Sequence, residues 1–139
     1  MKTFFVDTNV VIDFLAKRMP FAPDALNMFQ AAFRGECVLY ICSLSFTNIY
    51  YVLCRQQSRM DALAALKTLS QFVQVAPVTT LEINQALNSE FQDFEDAVQY
   101  FSACSIPNVS GIITRNPKDF ALSALPIIDP KDFGKYVSF

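Results

Sequence analysis

Three widely separated aspartates, Asp7, Asp96 and Asp119, are the residues of this sequence best placed to do chemistry, together with the amides and hydroxyl of Asn9, Asn116 and Thr114. The chain contains no histidine, which removes the commonest general base and the usual Ser or Cys triad. Its four cysteines, Cys37, Cys42, Cys54 and Cys104, are scattered without a CxxC pair, so they read as reduced core thiols rather than a zinc site. Carboxylates with amides and hydroxyls form an oxygen-only ligand set, which suits Mg²⁺ or Mn²⁺. Like charges brought together raise one another's pKa unless a cation neutralises them. A divalent metal is therefore the economical expectation.

These residues meet only if the intervening chain brings them together. Residues 3–6 form a short β-branched and aromatic run ending at Asp7, as a buried first strand would. A helix is expected over 9–17, and a second over 24–33, entered through Pro20 and Pro23 and stopped by Gly35. Residues 37–42 are continuously apolar, the pattern of a strand buried on both faces. Ser43 is the expected N-cap of a helix running through Phe46, Ile49 and Leu53 to Arg55. Another helix is expected over 60–72, with Leu63, Leu66 and Leu69 at three-residue steps.

The remaining chain continues the alternation. Residues 73–78 read as a strand interrupted by Pro77, Thr80 opens a helix through Leu87, and Asp93 caps one carrying Phe94, Ala97, Val98 and Phe101. A strand over 111–114, a polar loop over 115–119 and a last strand over 126–128 complete the order. Alternating strands and helices favour a parallel α/β sheet. In such sheets ligands bind beyond the C-terminal strand ends near the point where strand order reverses. Asp7, Thr114, Asn116 and Asp119 fall at strand ends, and Asp96 sits one turn into its helix, where it can reach the same edge.

At 139 residues the chain has the size of one domain, and a content of 53% hydrophobic against 17% charged residues excludes a disordered chain. A net charge of -2 argues against a protein that coats nucleic acid non-specifically, so any contact with it needs a local basic patch. No apolar run is long enough to span a bilayer, and residues 1–7 lack a signal-peptide pattern. A cytoplasmic protein without membrane contact is expected.

Each acid also has a plain structural reading. Asp7 could cap the following helix, Asp93 is expected to be an N-cap rather than a ligand, and Asp119 could simply shape the Asn116-Pro117-Lys118-Asp119 turn. Asp13 is expected to be solvated or to support a neighbouring ligand. Their joint placement favours a shared site.

The segments Asp7-Thr8-Asn9-Val10-Val11-Ile12-Asp13, Phe94-Glu95-Asp96-Ala97 and Ile113-Thr114-Arg115-Asn116-Pro117-Lys118-Asp119-Phe120 resemble the acidic motifs of the PIN-domain family, in particular the bacterial VapC-type toxins. The likeness runs in the same order over nearly the whole chain. It implies a single PIN-like domain over 1–139, a three-layer α/β/α fold with a central parallel sheet of four to five strands. It also implies a metal-dependent ribonuclease, homodimeric and held by a protein antitoxin. Asp7 and Asp96 would hold Mg²⁺ or Mn²⁺ with Asp119 nearby, and Thr114 or Asn116 would orient a ligand or water, hydrolysing an RNA phosphodiester. Asn9, Asn48, Arg115 and Lys118 are the expected substrate-facing residues, the last two because they flank the acids where a phosphate would lie.

Two positions depart from the family pattern. Asn48 stands where the family commonly has Glu, and Asn116 where many members have Asp. Neutral oxygens in place of charged ones weaken Mg²⁺ binding, which keeps open a PIN-fold module that binds RNA or a protein partner with little or no cleavage. A phosphotransfer domain ranks lower, because Asn9 occupies the place of the second Asp such phosphatases use. The aromatic and apolar group Tyr50, Tyr51, Val52 and Phe72 serves either a homodimer face or the core.

Overall fold

The computed structural model describes residues 1–137. Five parallel strands, β1 (Lys2–Val6), β2 (Cys37–Cys42), β3 (Gln74–Ala76), β4 (Val109–Ile113) and β5 (Ile127–Ile128), form one sheet in the order β3-β2-β1-β4-β5. The chain steps outward from β1 to β2 and β3, then crosses to the other side of β1 for β4 and β5. Strand order thus reverses beside β1, between the ends of β1 and β4 where Asp7 and Thr114 follow.

Alternation along the strands divides the core into two layers. Phe4, Val6, Leu39, Ile41, Ile113 and Ile128 face helices α1 (Thr8–Leu15), α2 (Ala22–Phe33), α3 (Ser45–Leu53) and α4 (Arg59–Leu69). Phe5, Cys42, Ala76 and Ile112 face the opposite way, against Tyr100, Ala103 and Ile106 of α6 (Phe94–Cys104) and the turn after it. Helix α5 (Thr80–Leu87) packs on α6 through Ala86, Ala97 and Val98. The result is the expected three-layer α/β/α fold, with five strands.

Several local expectations are corrected. Ser43 is not the N-cap of α3: its backbone N–H donates to the Ala76 carbonyl at 2.9 Å, prolonging the β2–β3 ladder, and Leu44 precedes the helix without a side-chain cap. The first helix ends at Leu15 rather than 17, because Lys17 turns left-handed at φ 55°. The strand expected over 73–78 pairs only through Gln74–Ala76, since Pro77 has no N–H for a ladder. The helix expected over 60–72 closes at Leu69, and Leu63 is exposed. Residues expected to form a plain loop include a 3-10 turn, Pro117–Phe120.

Tight packing fixes the end of β4. A Cβ on Gly111 would lie 2.7 Å from the Pro126 carbonyl oxygen and 3.1 Å from Ile128 Cδ1, so only glycine lets β5 approach this closely. The adjacent bonds from Ile112 N–H to Pro126 O and from Thr114 N–H to Ile128 O, at 2.9 and 3.0 Å, depend on that approach. Among the described residues no helix is long and apolar enough to cross a membrane.

Candidate metal and nucleic-acid site

Asp7 follows β1 and occupies the N-cap position of α1, yet its carboxylate makes no cap bond. It turns instead into the molecule, 3% exposed, where Gln99 Nε2 donates to Oδ1 at 3.1 Å and Thr114 Oγ1 donates to Oδ2 at 2.8 Å. Gln99 in turn accepts from the Thr8 backbone N–H at 3.1 Å and from Thr8 Oγ1 at 3.0 Å. Thr8 Oγ1 also lies 2.6 Å from Ser45 Oγ at the start of α3, and Thr114 Oγ1 accepts from the Asn116 backbone N–H at 3.0 Å. The capping role that could have explained Asp7 is therefore not the one it performs. Burial pushes its carboxyl up; the bonds from Thr114 and Gln99 and, less, the nearby Asn9 backbone N–H oppose that shift, while the charge of Asp119 adds to it.

The other acids gather around the first turn of α6. Asp93 is its N-cap, accepting from the Asp96 backbone N–H at 3.0 Å, as the plain reading of that residue anticipates. Asp96, half-buried, lines a cleft of about 450 Å³ with Asp93, Lys118 and the exposed Asp119. Its carboxyl is pushed up to about 7, first by burial and then by the charges of Asp93, Asp119, Asp7 and Glu95. Glu95, on the other flank of the turn, is raised by desolvation and by Asp93 and Asp7, and accepts from Asn48 Nδ2 at 3.3 Å. None of these five carboxylates is in an ion pair among the described residues.

This donor set fits a hard divalent cation in a sparing way. A carboxylate has about four lone-pair sites, and the two donors on Asp7 leave acceptor capacity on both of its oxygens. Mg²⁺ is commonly held by one or two carboxylates with waters and phosphate oxygens, which Asp7 and Asp96 can supply. Among the described residues, however, no three carboxylates or thiols are placed to hold an ion by themselves, so Asp119 does not close a ready-made cage with the other two.

One residue expected at this edge stands elsewhere in the electrostatics. Arg115 turns away from the cleft: Nε and Nη2 donate to Oδ2 and Oδ1 of Asp13, and its guanidinium carbon sits 3.8 Å from the centroid of the Phe21 ring. Asp13 is 1% exposed and also accepts from Arg18 Nε at 2.9 Å, so it is not solvated but braces α1 against the β4 loop and the chain before α2. Lys118 remains at the cleft beside the acids. Asn9 is exposed on the first turn of α1, and its carbonyl accepts from Arg18 Nη2 at 3.1 Å. Asn48 is exposed and bonds Glu95, while Asn116 is half-buried and contributes its backbone N–H.

Gln99, Thr8, Ser45 and Glu95 are the members that the sequence reading passed over. Gln99 carried a signal: it lies three residues after Asp96, on the same helix face, inside a run of buried residues. Of the group Tyr50, Tyr51, Val52 and Phe72, only Tyr51 is largely exposed, at 66%, and the other three pack against the α1–α4 core.

Comparison with solved structures gives the same architecture. The chain is similar to the VapBC2 structure of Rickettsia felis bound to a promoter DNA fragment, at TM-score 0.68 and 13% identity over 91% of this chain and 98% of that one. It is similar to VapC20 of Mycobacterium tuberculosis, a sarcin-ricin loop cleaving toxin, at TM-score 0.67 and 17% identity over 88% and 96% of the two chains. It is similar to FitAB bound to an IR36 DNA fragment at TM-score 0.63 and 11% identity over 92% and 95%. At these identities the likeness is one of fold. No curated protein matches the sequence significantly. The PIN-domain family model matches residues 3–118, and with that match over most of its length the chain belongs to the PIN-domain family.

Proposed function

We propose that this protein is a divalent-metal-dependent ribonuclease that hydrolyses RNA phosphodiester bonds, and that it is the toxin of a toxin-antitoxin pair. The observation that carries the reading is the buried Asp7, held by neutral donors alone, beside Asp96, whose carboxyl is raised to about 7 by burial and by neighbouring acids with no cation paired to any of them. A site that gathers five carboxylates with no ion pair among the described residues, and one lysine at its edge, is suited to a cation from solution.

Asp7 and Asp96 would hold the ion, with Asp119 at the open side of the cleft. Bound there, Mg²⁺ or Mn²⁺ supplies an acidified water and a counter-charge for the phosphoryl oxygens. The chain's own residues do the rest. Thr114 and Gln99 fix the Asp7 carboxylate, Lys118 offers a cation to the incoming phosphate, and Asn9, Asn48 and Asn116 offer neutral groups around the edge. A protein antitoxin as partner is supported by the structural likeness to the VapBC2 and FitAB assemblies, and a single domain acting in the cytoplasm as a homodimer completes the proposal.

The test is cleavage of a mixed single-stranded RNA pool with Mn²⁺ or Mg²⁺, set beside EDTA, Asp7→Asn and Asp96→Asn. Metal-dependent cutting abolished by both substitutions is the expected result. Equal cutting by wild type and both variants would refute it. A second reading, a PIN-fold module that binds RNA or protein with little chemistry, is favoured by the neutral Asn48 and Asn116 and by the missing three-acid cage. Metal-independent RNA binding without cutting by a folded protein would select that reading.

A further inference from the structure

We propose that Gln99 is a positioning residue of this site: its carboxamide, locked in one orientation by Thr8, drives a donor onto Asp7 and sets which lone pairs of that carboxylate stay free beside the neighbouring acids. The inference rests on the reading of Asp7 as a metal ligand.

A glutamine amide can ordinarily turn over, exchanging its donor and acceptor ends. Here it cannot. A backbone N–H can only donate, so the Thr8 N–H requires Gln99 Oε1 at its end of the 3.1 Å bond, and Nε2 is thereby committed to Asp7 Oδ1. Thr8 Oγ1 also donates to that Oε1, which leaves Ser45 Oγ as the donor in the 2.6 Å contact behind it. The opposite side works likewise, because the Asn116 N–H occupies one lone pair of Thr114 Oγ1 and the hydroxyl proton goes to Asp7 Oδ2. The bonds therefore run one way from both sides: Ser45 to Thr8 to Gln99 to Asp7, and Asn116 to Thr114 to Asp7.

This chain joins the starts of α1 and α3, the middle of α6 and the ends of β1 and β4 through a single carboxylate. Ser45, Thr8, Gln99, Asp7 and Thr114 are all buried, and no buried side-chain polar atom among the described residues lacks a partner. Two donors from fixed directions leave the Asp7 carboxylate one plane in which to lie. Partners of this kind orient ligands in metal sites, and their loss typically weakens metal affinity about 10- to 100-fold.

The experiment measures Mn²⁺ affinity of the purified protein by electron paramagnetic resonance for wild type, Gln99→Met and Asp7→Asn, with the folded fraction of each fixed by urea unfolding. The expected result is wild-type binding, loss of binding in Asp7→Asn, and about 10-fold or greater weakening in Gln99→Met among folded molecules. A role confined to packing would lower the stability of Gln99→Met and leave its Mn²⁺ affinity unchanged, which would overturn this proposal while sparing the site. Failure of wild type to bind Mn²⁺ would overturn both. If Gln99→Met does not fold, the wild-type Gln99 side-chain amide decides by NMR. Amide protons protected from exchange with water and shifted on Mg²⁺ addition support the lock, and an amide that exchanges as fast as that of an exposed glutamine overturns it.

Discussion

Asp7 and Asp13 lie six residues apart at opposite ends of α1, and both are buried, yet their surroundings are opposite. Asp13 receives two guanidiniums, Arg18 and Arg115, the second stacked on Phe21. Asp7 receives an amide and a hydroxyl, and its charged neighbours are other acids. One carboxylate is neutralised by the chain itself and ties three segments together. The other is oriented but left without a counter-charge. Burial alone does not mark a functional acid; the sign of what surrounds it does.

The sharpest way to break the comparison is to delete each charge. Asp13→Ala should destabilise the fold by about 3 kcal/mol, because it strands two partly covered arginines. Asp7→Asn should cost no more than about 1 kcal/mol, because relief of an uncompensated buried charge offsets the clash of its new NH₂ with whichever committed donor, Gln99 or Thr114, it meets. Urea unfolding of metal-free protein measures both, and equal losses would erase the distinction.

Stability against pH gives a smaller effect of defined sign. Because the folded-state carboxyl of Asp96 is raised to about 7 from an ordinary value of 3.8, the native state holds its proton more tightly than the unfolded chain does. Its contribution is favourable below about pH 4 and is lost as pH climbs toward 7. The difference in unfolding free energy between wild type and Asp96→Asn should therefore move against wild type across that window. Added Mn²⁺ should reverse the trend at pH 7. A pH-independent difference would show that Asp96 is not under this strain.

The smallest effect separates the two cations at the β4 end. Lys118→Ala should weaken RNA binding and lower its dependence on log salt by about 0.7 to 1. Arg115→Ala should act first on stability, because its donors are committed to Asp13. Affinity titrations at several salt concentrations, corrected for folded fraction, distinguish them. A salt slope reduced only in Arg115→Ala would return that residue to the phosphate path.

Much of the frame was legible in the sequence because it depends on local pattern. The continuously apolar 37–42 is β2 to the residue, and Asp93 reads as a cap because its side chain serves its own helix. What was not legible depends on partners remote along the chain. Nothing near Arg115 in sequence shows that its guanidinium belongs to Asp13, 102 positions away, and Gln99 stands 92 positions from the carboxylate it grips. Ser43 misled for a related reason: its local pattern suits a helix cap, but its N–H is claimed by the neighbouring strand.

The absent side chain at Gly111 has a consequence for how such a protein can change. Thr114 reaches Asp7 only because β4 ends where β5 holds it, and β5 can approach only because position 111 is bare. A methyl group there touches no acid and no substrate, yet it would wedge the last strand outward and carry the threonine with it. Gly111→Ala thus offers a route by which activity could drift, in a lineage or a mutant library, with every acidic residue intact.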